Sequence, residues 1–246
     1  MGPCSYQLFQ GISKANLVNP NNPRVFALRF DRSSLDLHSE FIRGSRMKFD
    51  HLAVAGETLE EAVAHSEEAL GVPMQRGGEH AVFGTHNFLL GLADGLYLEA
   101  IAINPAATPQ RQPRWFDLDR FSGTPRISNW ICSCDGLADQ LQRLPEGAGE
   151  MVALTRGDLR WDMAVPQSGI LPFDNCFPAL IEWHGAHPAP RLKQQGCSLR
   201  RLVISHPEAE ALEQSLPLSD ARLAFAAGDP GFEAEFDTPA GRRVLR

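Results

Sequence analysis

The chain is short of positive charge and has no long apolar run, and each shortage narrows its function. Lysine and arginine number 23 against 30 aspartates and glutamates, giving a net charge of -7 and a pI near 5.6. With no basic footprint, nucleic acid is not an expected partner. No apolar stretch approaches the ~20 residues that a membrane helix needs, so no membrane partner is expected either. Cysteine is scarce too: five residues, an odd number, without the Cys-x-x-Cys spacing of a zinc site. Free thiols in this pattern suit a reducing cytoplasm, the expected location.

What is present is a chain of 246 residues, 43% hydrophobic and 22% charged. That is enough for one large domain or two closely packed ones. Residues 1–46 differ from the rest. They hold Asn19-Pro20-Asn21-Asn22-Pro23 among isolated apolar residues, show no sustained periodicity, and carry no signal-peptide core. The expectation is an extension outside the domain, with Met47 as the true initiator; a disordered arm is the alternative.

From Met47 a pattern begins. In Lys48-Phe49-Asp50-His51-Leu52-Ala53-Val54 the two-residue strand period puts Leu52 and Val54 on one face and Phe49, His51 and Ala53 on the other. Thr58 and Glu61 form a capping box, and Leu59, Ala62, Val63, Ala69 and Leu70 make a helical apolar stripe that Gly71 and Pro73 end. Three short strands follow, near Glu79 to Phe83, Thr85 to Leu92 and Leu96 to Ile103, punctuated by Gly77-Gly78, Gly95 and Asn104-Pro105. If Leu98, Ala100 and Ala102 cover the helix, Glu99 looks to the concave side with Tyr97. There it meets His51, expected within about 7 Å, close enough to share an ion or a substrate oxygen. His86 and Asn87 are strand neighbours that cannot both face inward without a bulge. Phe88, Leu90 and Leu92 pull His86 toward the helix, which leaves Asn87 for the cavity.

The grammar recurs. Ile127-Ser128-Asn129-Trp130-Ile131-Cys132 leads through Asp135, read as a helix N-cap, into Leu137, Leu141 and Leu144, and the copy closes with Ala179-Leu180-Ile181-Glu182-Trp183. Asn129 takes the place of His51, and Glu182 that of Glu99. A third start at Leu199 to Ile204 runs past Pro207 into a helix over Ala211, Leu212 and Leu216. Two strands remain, near Ala221 to Ala226 and Phe232 to Phe236, so this copy reads as truncated.

A repeated βαβββ unit with His on its opening strand and Glu on its closing strand resembles the vicinal oxygen chelate superfamily, the group of glyoxalase I, extradiol dioxygenases and bleomycin-resistance proteins. Asp50-His51-Leu52, Gly77-Gly78-Glu79-His80, Gly84-Thr85-His86-Asn87, Tyr97-Leu98-Glu99, Leu171-Pro172-Phe173 and Ile181-Glu182-Trp183 resemble its glyoxalase-like branch. The resemblance implies an α+β fold: βαβββ modules at about 47–105 and 126–185 with a partial third at 197–246, forming curved mixed sheets with helices outside. It also implies ligands to a divalent ion from the first and fourth strands of two modules, here His51, Glu99, Asn129 and Glu182. Asn at position 129 departs from that pattern, because an amide suits a transition metal poorly.

The candidate site then has His51, Glu99 and Glu182 as acid-base groups, with His51 and Glu99 as metal ligands; His184 shares a strand face with Glu182. His80 after the double glycine, Asn87, Arg156, Trp161, Phe173 and Trp183 are the substrate-binding candidates, an Arg with an aromatic wall being suited to an anionic or carbonyl-bearing ligand. Cys132 and Cys134 read as small core residues. Two functions remain open. One is a lyase, isomerase or dioxygenase acting on a small oxygen-rich molecule through His51 and Glu99; the other is a metal-free protein that sequesters a small aromatic or carbonyl-containing molecule. No nucleotide cofactor is expected, and a homodimer and a self-sufficient monomer are both compatible with three module starts in one chain.

Overall fold

The computed structural model describes residues 47–246; the expectations for residues 1–46 lie outside them. Two βαβββ units follow one another. The first comprises β1 (Lys48–Ala55), α1 (Leu59–Leu70), β2 (Gln75–His80), β3 (Thr85–Gly91) and β4 (Tyr97–Ile103). The second comprises β5 (Arg126–Ser133), α2 (Leu137–Leu141), β6 (Glu150–Arg156), β7 (Leu159–Val165) and β8 (Ala179–Trp183). Their strands make one eight-stranded sheet in the order β2-β3-β4-β1-β5-β8-β7-β6. In each unit the first and fourth strands run parallel, and the antiparallel pairing of β1 with β5 joins the units. The sheet curls until its two edges meet, since Arg156 on β6 bonds to His80 on β2. This is the α+β fold of repeated βαβββ modules that the sequence pattern predicts.

The capping box at α1 forms in full. The Thr58 hydroxyl accepts from the Glu61 N–H and the Glu61 carboxylate accepts from the Thr58 N–H, both at 3.2 Å. Gly71 ends the helix at φ 72°, and its N–H donates to the Glu67 carbonyl. Leu59, Ala62 and Leu70 then bury one face of α1 over the sheet. At α2 the reading needs correction, because Gly136 rather than Asp135 is the N-cap. The Glu182 carboxylate accepts from the N–H groups of Gly136 and Leu137, at 2.9 and 2.8 Å, and so does the work of a capping side chain.

The third segment also departs from expectation. It runs through β9 (Ser198–Ser205), α3 (Ala209–Gln214), β10 (Leu223–Ala226), β11 (Gly231–Thr238) and β12 (Gly241–Leu245). These strands make a separate sheet in the order β10-β9-β11-β12. Here the strand parallel to the first is the second, not the last, so the segment is a differently wired unit with one strand more than expected. β12 escaped the pattern reading because Arg242 and Arg243 interrupt its apolar signal. Trp130 ties this sheet to the larger one, its ring meeting Phe225 of β10 at 6.1 Å, while its indole N–H donates to the Cys176 carbonyl at 2.8 Å and the Cys176 thiol donates to the Ser205 carbonyl of β9. Cys132 and Cys134 are buried free thiols, as predicted for core residues; burial pushes the Cys134 thiol up to about 12. No helix among the described residues is long and apolar enough to cross a membrane.

Candidate functional site

The curled sheet lines a half-open cavity, with about 370 Å³ of empty space when the solvent at its mouth is included. The inward-facing positions of β1, β3 and β4 supply His51, Asn87, Tyr97 and Glu99; β2 and β6 supply His80 and Arg156 at the meeting edges; β7 and β8 supply Trp161, Met163, Ile181 and Trp183. The resulting wall is aromatic and aliphatic, with a few convergent polar groups, the usual composition of a small-molecule site.

One end of the cavity is a buried chain of charge. Strict alternation would place Asp50 on the helix side of β1, but a bulge lies between Phe49 and His51 and makes Asp50 the extra residue. Phe49 turns instead to Trp130, the residue opposite Leu52. Asp50 is thereby free to accept from three donors: His51 Nδ1 at 2.7 Å, Trp183 Nε1 at 3.2 Å and His187 Nε2 at 3.2 Å. The Ala189 N–H donates to His187 Nδ1, which leaves the His187 proton on Nε2 for Asp50. The far nitrogen of the His51 ring faces the cavity, 3.4 Å from Tyr97 Oη and 3.7 Å from Glu99 Oε2. The structure therefore brings His51 and Glu99 together, and the two rings of His51 and Tyr97 stack at 4.2 Å.

Burial alone would keep these groups neutral; their mutual contacts reverse it. For Asp50, burial is opposed by the hydrogen bonds from His187 and His51, and the carboxyl is held well below its usual range. For Glu99, burial is opposed by His51 and, more weakly, by His80 and Asn87, which hold the carboxyl down at about 2. Against its own desolvation, His51 is raised by Asp50 and Glu99. The contacts thus favour the charged imidazole between two carboxylates. Burial, with the Asp50 and Glu99 charges, drives the Tyr97 hydroxyl well up.

The other end is organised by Asn87 and Arg156. Asn87 donates to Glu99 Oε1 at 2.5 Å and accepts, through Oδ1, from the Gly78 N–H at 2.8 Å and from Arg156 Nη1 at 3.2 Å. His80 completes the cluster, with Nε2 3.0 Å from Arg156 Nη1 and Nδ1 3.0 Å from Thr85 Oγ1. Burial, helped by the Arg156 and His51 cations and opposed by Glu99, pushes His80 down to about 4, so it is neutral and accepts from the guanidinium. The double glycine allows this crossing. A Cβ on Gly77 would stand 2.1 Å from Asn87 Oδ1, and one on Gly78 would stand 2.8 Å from Arg156 Cδ.

His51, Glu99, His80, Asn87, Arg156, Trp161 and Trp183 all line the cavity. Glu182 and Phe173 do not. The two-residue period turns Glu182 away from the face of Ile181 and Trp183, onto the α2 N-terminus; His184, its expected partner, pairs instead with Asp162 Oδ2 at 2.8 Å. Phe173 lies in a turn where it, Asp174 and Asn175 all take left-handed backbone angles, and it packs on Phe177 and His206. His80 is the buried end of β2. Sequence reasoning missed Asp50 and His187, and with them Trp115 and Phe116, which cover the cavity from a short 3-10 segment, Trp115–Arg120. Two tryptophan-phenylalanine neighbours in a segment without periodicity were the only available signal for the cover.

The ion implied by the resemblance does not fit these residues. His51 Nε2 and Glu99 Oε2 supply two donors. Asn129 lies opposite Ala53, outside the cavity wall, and Glu182 is committed to α2. Among the described residues no three His, Cys, Asp or Glu side chains converge as a metal site, whereas a catalytic zinc site uses three protein ligands.

Comparison with known proteins agrees with the architecture. Residues 49–219 match the family model described as a glyoxalase-like domain. The chain belongs to that glyoxalase-like family. No curated protein matches the sequence. Among solved structures, a hypothetical protein from Staphylococcus aureus superposes with a TM-score of 0.52 at 13% identity, covering 75% of this chain and 87% of its own. Methylmalonyl-CoA epimerase from Mycobacterium tuberculosis is 19% identical with a TM-score of 0.35, over 58% of this chain and 91% of that one. The Streptomyces coelicolor epimerase, in complex with 2-nitronate-propionyl-CoA, is 14% identical with a TM-score of 0.36, over 57% of this chain and 98% of that one.

Proposed function

We propose that this protein binds a small oxygen-rich or carbonyl-containing molecule in the sheet-lined cavity and moves a proton on it, as a lyase or isomerase of the glyoxalase-like group. The observation that carries the reading is the His51 and Glu99 pair, 3.7 Å apart, buried at the cavity wall. Buried charge is expensive, and contacts with Asp50 and Asn87 favour the ionised forms of these two. Their 3.7 Å separation exceeds a hydrogen bond, so neither is committed to the other and both can turn to a ligand in the cavity. His51 Nε2–H then donates to a carbonyl oxygen while Glu99 accepts a proton from the adjacent carbon, and Asp50 and His187 hold the imidazole in the orientation this requires.

The depressed pKa of Glu99 supports a second reading. A carboxylate hydrogen-bonded by Asn87 and paired with His51 is a weak base, so the same cavity suits a protein that only sequesters its ligand. One experiment separates the two. Methylglyoxal, pyruvate and catechol are titrated against the fluorescence of Trp115, Trp161 and Trp183, and exchange of the methyl protons of the two carbonyl compounds into D2O is followed by NMR. Saturable quenching with exchange that Glu99→Gln abolishes supports the enzyme. Quenching without exchange selects the sequestering protein, and neither signal with any of the three refutes the site.

A further inference from the structure

Arg156 is the one cavity cation not yet explained. Its two hydrogen bonds, from Nη1 to His80 Nε2 and to Asn87 Oδ1, both end on neutral acceptors. Among the described residues no carboxylate stands within ion-pair distance of its guanidinium. The His51 charge, in contrast, is balanced twice over, by Asp50 and by Glu99. Arg156 is also built in: Gly78 clears the space beneath its side chain, and His80 receives its N–H on Nε2 while Nδ1–H donates to Thr85 Oγ1. Elsewhere in the lining, the buried indole N–H of Trp115 has no partner among the described residues.

A half-buried guanidinium whose partners are both neutral is a receptor for an anionic oxygen pair. Asn87 sets the scale of the ligand, since its amide alone spans the distance from Arg156, at 3.2 Å, to Glu99, at 2.5 Å. We infer that the ligand is a short carboxylic acid whose carboxylate lies on Arg156 and whose second oxygen reaches toward His51. Three tryptophans, Trp115, Trp161 and Trp183, enclose its short carbon skeleton. This deepens the proposal above, because it names the class of molecule for the same cavity, and it fails separately if the ligand is neutral.

The test compares acids with their neutral amides on the full chain: pyruvate with pyruvamide, and lactate with lactamide, alongside methylglyoxal, all read by tryptophan fluorescence. The acids should bind at least tenfold more tightly than the amides. Arg156→Gln should remove that difference by weakening only the acids, and Arg156→Lys, which keeps the charge but not the planar fork, should recover part of it. Acids and amides binding alike, or Arg156→Gln binding pyruvate as wild type does, overturns the inference. Methylglyoxal binding with no acid binding overturns it while leaving the proposed function standing; no binding by any probe sinks both. Should Arg156→Gln fail to fold, the acid and amide comparison on the unaltered protein decides.

Discussion

Asp50 Oδ1 lies 2.7 Å from Nδ1 of its own neighbour, His51, although adjacent residues of a regular strand point to opposite faces. The bulge in β1 makes the contact possible, and the contact determines what His51 can do. With Nδ1 committed to a carboxylate, the ring presents Nε2 to the cavity and favours its charged form. The arrangement resembles the orienting acid of a catalytic triad in logic, though it is assembled from consecutive residues.

Asp50→Asn keeps the shape and removes the charge, so the titration of His51 should shift. With the raising influence of Asp50 gone, the His51 pKa is expected to fall. NMR titration of the labelled His51 ring measures it directly. An unchanged pKa would mean that Glu99 alone sustains the imidazolium.

Stability should form a dome in pH with its summit near 6.5. His80 is held down to about 4 in the folded chain against 6.5 unfolded, so only the unfolded state takes up that proton as pH drops from 6.5 toward 4, and stability falls. Glu99, held at about 2 against 4.5, extends the loss from pH 4.5 downward. His51 works in the opposite direction: its pKa is raised, so its contribution is complete below 6.5 and is lost as pH rises through the folded value. The His80 contribution amounts to up to roughly 3 kcal/mol by pH 4. Urea unfolding at pH 4.5, 6.5 and 8.5 tests the shape, and His80→Gln should flatten the acid limb between 6.5 and 4.5 while leaving the alkaline limb alone.

Much of this was legible in the sequence because periodicity reports which way a strand residue faces. Alternation placed His51, Glu99 and Asn87 on the concave side and preferred Asn87 to His86, which the structure pairs with Ala102 on the other face. The same rule hid Asp50, since a bulge leaves no mark in the residue pattern. It also misplaced Glu182. Alignment with Glu99 suggested a cavity residue, but neighbouring Trp183 takes the inward position, and the register of β8 against β7 pairs Glu182 with Asp162 instead. His187 could not be seen at all, because its role depends on a loop returning to β1 across more than a hundred residues.

Glu99→Gln and Glu182→Gln should therefore differ in kind. The first removes a charge at the cavity and should weaken binding of a cavity ligand by at least tenfold, about 1.4 kcal/mol. The second should leave binding unchanged and lower stability by about 0.5–1 kcal/mol, because a neutral amide caps the α2 N-terminus less well than a carboxylate. Pyruvate titration and urea unfolding of both variants provide the comparison. A binding defect in Glu182→Gln equal to that of Glu99→Gln would show that the second unit contributes its carboxylate to the site after all.

The double glycine allows a final prediction that separates packing from charge. A Cβ at Gly77 would sit 2.1 Å from Asn87 Oδ1 and 3.1 Å from the Leu89 side chain, both on β3 and both confined. At Gly78 the nearest atom is Arg156 Cδ at 2.8 Å, part of a flexible side chain that is able to move away. Gly77→Ala should accordingly cost about 1–3 kcal/mol, the range of overpacking in a filled interior, and Gly78→Ala less. The difference has a specific origin, so it can be reversed. In Asn87→Ala the obstructing amide is gone, and Gly77→Ala added to that background should cost clearly less than it does alone, a coupling of order 1 kcal/mol in a double-mutant cycle. Gly78→Ala should show its effect elsewhere, as weaker binding of pyruvate once Arg156 is displaced from His80. If the Gly77 and Asn87 substitutions prove additive in urea unfolding, the close approach of β2 to the Asn87 side chain is not what confines position 77 to glycine.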